Sequence, residues 1–171
     1  MPPKAPGYLV DTNVLSNRSD ARRNPSVREW LQRNSILIRI SVMTAAEMHR
    51  GLLLFEARIA AADSKLRKKM TTALQSKRGW YNEVLDLFSN RIEPIDLAVA
   101  QKWAETSVRF PSLRDGDKAI AATALAKGYG IATRNLGDFR QTGLILVNPF
   151  DAATWDDGSD DDPLSPLLDS E

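Results

Sequence analysis

Four carboxylates stand where a chain of alternating strands and helices would gather them. Asp11 ends the first apolar run, in "YLVDTNVLS", and Glu47 follows the second, in "ISVMTAAEMHRG". Asp117 opens "DKAIAATALAKG", and Asp138 follows a further apolar run in "IATRNLGDF". In a parallel sheet, strand C-termini and the N-termini of the helices that follow share one edge, where ligands bind. Like charges gathered there repel strongly at low effective dielectric unless a cation sits among them. Hard divalent ions such as Mg²⁺ or Mn²⁺ take oxygen ligands and supply that charge. One or two of them, held by four carboxylates, suit hydrolysis of a phosphodiester, because a metal makes hydroxide available near neutral pH.

Each acid also has a purely structural reading. Asp11 can cap the helix begun by "TNVLS", Thr44 and Glu47 form a T-x-x-E capping box, and Asp117 can be an N-cap. Asn135 and Asp138 fit a cap followed by a first-turn acid favoured by the helix dipole. Capping contributes only about 1 kcal/mol per site and does not require every cap to be acidic. Asp115, in "RDGD", is a rival to Asp117, although its register against the following helix fits less well.

Composition narrows the chemistry. The 171 residues suffice for one domain with a real core. The chain has no cysteine and a single histidine, His49, so thiolate sites, multi-histidine sites and paired imidazole catalysis are excluded. His49 lies about 200° round a helix from Glu47 and reads as structural. "MPPKAPG" is no secretory signal, and no stretch approaches the roughly 18 apolar residues of a membrane span, so a cytoplasmic protein is expected. The net charge of +1 hides an asymmetry: residues 151–171 hold eight acids and no base. Residues 1–150 therefore carry all 23 bases against 14 acids, an excess of nine that suits a polyanionic partner such as nucleic acid.

The elements that must position the acids are short. Candidate strands are Tyr8–Val10, Ile36–Val42, Arg91–Ile95, Gly130–Thr133 and Leu144–Val147, separated by helical stretches, which predicts an α/β fold with mostly parallel strands. Residues 44–88 read as a hairpin of two helices broken at Asp63–Ser64. One face, through Leu66, Met70, Leu74, Tyr81, Val84, Leu85 and Phe88, is expected to be buried. Six bases and no acid lie between Lys65 and Arg78, and the run Leu52–Phe55 offers more apolar surface than one face can bury, which hints at a partner chain. Trp30 and Trp103 read as core; Trp80, beside Lys77 and Arg78, could stack on a base. The segment from Asp151 onward is expected to be a disordered acidic tail, following a body of residues 1–150.

The motifs "LVDTNVLS", "SVMTAAEMHRG" and "DKAIAATALAKGYGIATRNLGDF" closely resemble the PIN-domain ribonucleases, in particular the VapC and FitB type of bacterial toxin, from about Tyr8 to Val147. The resemblance implies a five-stranded parallel sheet between helices, a three-layer α/β/α arrangement. It also implies cleavage of RNA dependent on Mg²⁺ or Mn²⁺, a homodimer, and neutralisation by a small antitoxin protein. It assigns Asp11, Glu47 and Asp117 as metal ligands and catalytic residues. The fourth acid of the family falls either at Asn135 or at Asp138, and here only Asp138 is charged. Thr12, Asn13, Thr133 and Asn135 are then supporting groups that orient ligands, water or phosphate.

Three other readings compete. An aspartyl-phosphate phosphatase usually needs a second Asp where this chain has Asn13. A nucleotide-binding glycine loop lacks its motif. A non-catalytic nucleic-acid-binding protein of the same fold would bind without turning over.

Overall fold

The computed structural model describes residues 5–18 and 24–155. Five strands, β1 (Tyr8–Val10), β2 (Ile38–Ser41), β3 (Ile92–Glu93), β4 (Gly130–Ala132) and β5 (Leu146–Val147), form one sheet in the order β3-β2-β1-β4-β5. Every neighbouring pair is parallel. β1 spans its expected segment, and the other four strands fall inside theirs but are shorter. Ile36 is left exposed in the turn after the second helix, where the Leu37 and Ile38 N–H groups donate to the Asn34 carbonyl. At the other end of β2, Ser41 caps a helix, so Val42 is already helical.

Seven helices are described: α1 (Thr12–Arg18), α2 (Pro25–Arg33), α3 (Val42–Ala60), α4 (Ser64–Leu87), α5 (Leu97–Arg109), α6 (Asp115–Lys127) and α7 (Leu136–Phe139). Alternation along the strands divides them into two layers, since successive side chains leave opposite faces of a sheet. Tyr8, Val10, Ile38, Ile40, Ala132 and Val147 form one core with Val14, Val27, Trp30, Leu31, Met48, Val84 and Phe88 from α1 to α4 and its C-cap. Leu9 and Ile131 face the other way, onto Ile120, Ala121 and Ala124 of α6 and Phe139 of α7. Helix α5 packs outside α6. This is the expected three-layer α/β/α arrangement.

The hairpin forms where the sequence places it. Asp63 caps α4 by accepting the Leu66 N–H at 2.9 Å. Its packing differs from the periodic expectation: Leu74, Val84 and Phe88 are buried, but Leu66 near the tip is half exposed, as are Leu53 and Leu54 on α3. Among the described residues α4 packs chiefly on α3, so periodicity near the tip marks a face without a covering layer. Two cations of the basic run are tied into the hairpin itself. Arg67 donates to the Ala62 carbonyl at 2.9 Å, and Arg78 pairs with Glu56 at 2.7 Å.

Aromatic residues sort by layer. Trp30 is buried against Tyr8, and Trp80 packs on the same core with its indole nitrogen enclosed, so it is not a free stacking platform. His49 stacks on Tyr81 at 5.6 Å between centroids. Residues 152–154 form a 3₁₀ turn, after which the Trp155 indole donates to the Asn148 carbonyl. These contacts hold residues 152–155 against the end of β5; the rest of the acidic segment, expected from composition to be a disordered tail, lies outside the described residues. Among the described residues no helix is long and apolar enough to cross a membrane.

Candidate active site

All four acids lie at the C-terminal edge of the sheet. Asp11, Glu47 and Asp138 come after β1, β2 and β4, and the N-terminus of α6, which carries Asp117, reaches the same edge because α6 runs back to the start of β4. Capping explains fewer of them than the sequence allows. The Asp11 backbone carbonyl accepts from the Val14 and Leu15 N–H groups and so starts α1, while its carboxylate is held by the Thr133 and Asn13 side chains as well as by the Thr12 N–H. Ser41, not Thr44, caps α3: its hydroxyl accepts the Thr44 N–H at 3.0 Å and bonds the Thr44 hydroxyl. Glu47 is therefore in the second turn, free of any capping box. Helix α6 begins two residues before Asp117, with Arg114 at the N-cap position and no side-chain capping bond, so Asp117 is a first-turn acid and not a cap.

The Asp11 carboxylate is the most tightly held. Its Oδ2 accepts from Thr133 Oγ1 at 2.7 Å and from Asn13 Nδ2 at 2.6 Å. Asn13 in turn accepts the Arg134 N–H at 3.2 Å, and the Thr133 hydroxyl accepts the Asn135 N–H at 3.1 Å. Burial pushes the Asp11 carboxyl above the ordinary aspartate value, against the opposing pull of the Thr133 hydrogen bond; the nearby Asp117 charge adds to the rise.

Glu47 approaches from α3. Thr12 Oγ1 donates to its Oε2 at 3.2 Å. On the other side lies Gly116, where a Cβ would stand 2.6 Å from Glu47 Oε1, so the glycine leaves room for that carboxylate oxygen. Burial raises the Glu47 carboxyl, and the charges of Asp11 and Asp117 raise it further. Asp11, Glu47 and Asp117 thus sense one another. Asp117 is only 8% exposed, whereas Asp115, the rival, has a side chain 87% exposed and paired with Lys118. Asp138 stands at the rim, its side chain 45% exposed. Asn135 occupies the N-cap of α7 without a side-chain capping bond.

Sequence reasoning missed two participants, Gly116 and Arg114. The Arg114 Nε donates to Asp117 Oδ2 at 2.7 Å, and its Nη2 lies 3.8 Å from Asp138 Oδ2. Those contacts, led by the Asp117 hydrogen bond, push the guanidinium pKa above its ordinary value. The spacing of Arg114 three residues before Asp117 was a readable signal for the first contact, but nothing local announced the second.

The donor set fits a hard divalent ion: it is all oxygen, and two of its carboxylates are raised by burial and mutual repulsion, the signature of a site short of positive charge. As the side chains stand, no group of three or more such ligands among the described residues is drawn tightly enough to hold one ion.

Fold and site together define a three-layer α/β protein with a carboxylate cluster at the C-terminal edge of a parallel sheet. The PIN domain model matches residues 8–144, and the chain belongs to the PIN domain family. Among curated relatives it is 29% identical over 150 residues to VapC ribonuclease Y4jK of Sinorhizobium fredii, covering 85% of this chain and 99% of that one. It is 28% identical over 149 residues to Toxin FitB of Neisseria gonorrhoeae, covering 83% and 97%. The solved structure of FitAcB from Neisseria gonorrhoeae superposes with a TM-score of 0.61 at 28% identity, covering 84% of this chain and 98% of that one.

Proposed function

We propose that this chain is a metal-dependent endoribonuclease that hydrolyses RNA phosphodiester bonds, the toxin of a toxin–antitoxin pair. The observation that carries this reading is the juxtaposition of Asp11, Glu47 and Asp117, with Asp138 at the rim, on the ligand-binding edge of a PIN fold. Asp11, Glu47 and Asp117 would hold Mg²⁺ or Mn²⁺, with Asp138 completing the set; one or two ions can be served by four carboxylates. When bound, such an ion supplies Lewis acidity, easing ionisation of water and offsetting phosphate charge.

The chain's own groups prepare that site. Thr133 and Asn13 fix the direction in which Asp11 presents its second oxygen. Thr12 holds one Glu47 oxygen, and Gly116 leaves room for the other. Asn135, exposed at the start of α7, is placed to bind water or a phosphate oxygen. Hydrolysis by water breaks the bond between phosphorus and the 3′-oxygen and leaves a 3′-hydroxyl and a 5′-phosphate. Basic residues of the body contribute phosphate contacts, which position a strand without reading its sequence.

Two partners follow from the same reading. The relatives include a protein named as a toxin and one named as a VapC ribonuclease, which supports a cognate antitoxin for this chain. The exposed Leu53, Leu54 and Leu66 near the hairpin tip support a homodimer.

The test is cleavage of a panel of labelled RNAs by the full chain with Mn²⁺ or Mg²⁺, with assignment of the product ends. Activity lost in EDTA and in Asp11→Asn, retained in Asp115→Asn, and giving 5′-phosphate ends is the expected result. Cleavage that survives EDTA, or ends carrying a cyclic phosphate, would overturn the mechanism. RNA binding by folded, metal-loaded protein without any product would favour a non-catalytic nucleic-acid-binding protein of this fold.

A further inference from the structure

Arg114 joins two acids that belong to different elements. Its Nε donates to Asp117 on α6 at 2.7 Å, and its Nη2 stands 3.8 Å from Asp138 on α7. The two partners of the shorter contact are unequally placed: the Asp117 side chain is 11% exposed and the Arg114 side chain 76%. The acid is fixed in the protein, and the cation reaches in from solvent. Arg114 holds the N-cap position of α6, where a guanidinium, having no acceptor, cannot cap the helix N–H groups; its donors are directed to the two acids instead.

We propose that Arg114 is the resident counter-cation of the cluster, competing with a divalent ion for Asp117 and Asp138 and thereby setting how tightly the site takes metal. The inference rests on the metal-nuclease reading above. A carboxylate oxygen that accepts from the guanidinium at 2.7 Å is not open to an ion on the same lone pair, and an approaching dication meets a positive charge already in place. The mostly exposed guanidinium can swing aside without breaking the core, so the ion competes with a hydrogen-bonded pair and not with a buried strut. Arg114 is therefore a positioning residue: without metal it draws Asp117 and Asp138 toward each other, and with metal it is released.

Calorimetric titration of the full chain with Mn²⁺ tests this, using wild type, Arg114→Gln, Arg114→Ala and Arg114→Lys, alongside thermal unfolding in EDTA. Exposed ion pairs contribute weakly, so removing the charge is expected to lower the Mn²⁺ Kd about two- to fivefold. The same Gln and Ala variants are expected to melt at lower temperature than wild type in EDTA, having lost the counter-charge. Arg114→Lys, which keeps the charge without the fork, should stay within about twofold of the wild-type Kd. A merely structural role would weaken metal binding and stability together. Equal or weaker Mn²⁺ binding by the folded Gln and Ala variants would overturn the inference while leaving the metal reading intact. Mn²⁺ binding by none of the proteins would overturn both.

Discussion

Thr133 Oγ1 donates to Asp11 Oδ2 across 2.7 Å, joining the residue after β4 to the residue after β1 at the edge where the acids gather. Thr133 is fully buried, and the same hydroxyl accepts the Asn135 N–H. Thr133→Val keeps the shape and removes these bonds together with the one the hydroxyl accepts from Asn13 Nδ2 at 3.3 Å, leaving a partly buried carboxylate and a backbone donor short of partners. That is expected to cost about 1–3 kcal/mol of stability in a denaturant titration, with RNA cleavage reduced and Thr133→Ser restoring both. Full activity in Thr133→Val would show that Asp11 needs no such orientation.

The two raised carboxyls make the metal-free protein sensitive to pH. Asp11 and Glu47 titrate above the ordinary values of 3.8 and 4.5 when folded. Between those ordinary values and the raised ones, the folded state binds more protons than the unfolded state, so stability falls as pH rises through that window and stays lowered above it. Asp11→Asn keeps an oxygen for Thr133 and removes the charge. In EDTA at pH 7 it is expected to melt higher than wild type, by about 2–4 °C for each kcal/mol recovered, while losing RNA cleavage. A lower melting temperature would mean that the hydrogen bonds to the charged form outweigh its burial.

Gly116 separates stability from function in a third way. A methyl group there would press on Glu47 Oε1, the end of a flexible side chain, so Gly116→Ala displaces the carboxylate more readily than the backbone. The substitution lies in the first turn of α6, where alanine favours the helix by up to about 1 kcal/mol over glycine. Melting is therefore expected to be unchanged or slightly higher in EDTA, with Mn²⁺ affinity and cleavage both reduced. Unaltered Mn²⁺ affinity would remove Glu47 from the ligand set.

Much of this architecture could be read along the chain because its signals are local. "YLV", "IRIS" and "GIA" are short apolar runs ending where polar residues begin, and all became strands within the expected segments. Gly128 ends α6 in the left-handed conformation at φ 71°, which glycine adopts without a Cβ penalty. The break at Asp63 rests on one capping bond formed within three residues. The hairpin face was less legible, since periodicity reports which residues share a side but not whether another layer reaches it. Leu74 and Leu66 obey the same period; one is buried and the other half exposed.

The sequence by itself determined the kinds of atom available for chemistry. With no thiol and one imidazole, the edge of this sheet is furnished with carboxylate, hydroxyl and amide groups, whatever the detailed packing. It also determined that three of the acids follow strands, because chain order and strand direction are local properties. Only the tertiary structure decided what each acid does there. The T-x-x-E pattern puts Thr44 at the cap of α3, but the end of β2, set by its pairing with β3, gave the role to Ser41 and left Glu47 free. The contact of Arg114 with Asp138 depends on α7 lying beside the start of α6, which no spacing between residues 114 and 138 encodes. Charge balance at this edge is a long-range sum over elements brought together by the core, and it became visible only once that core was formed.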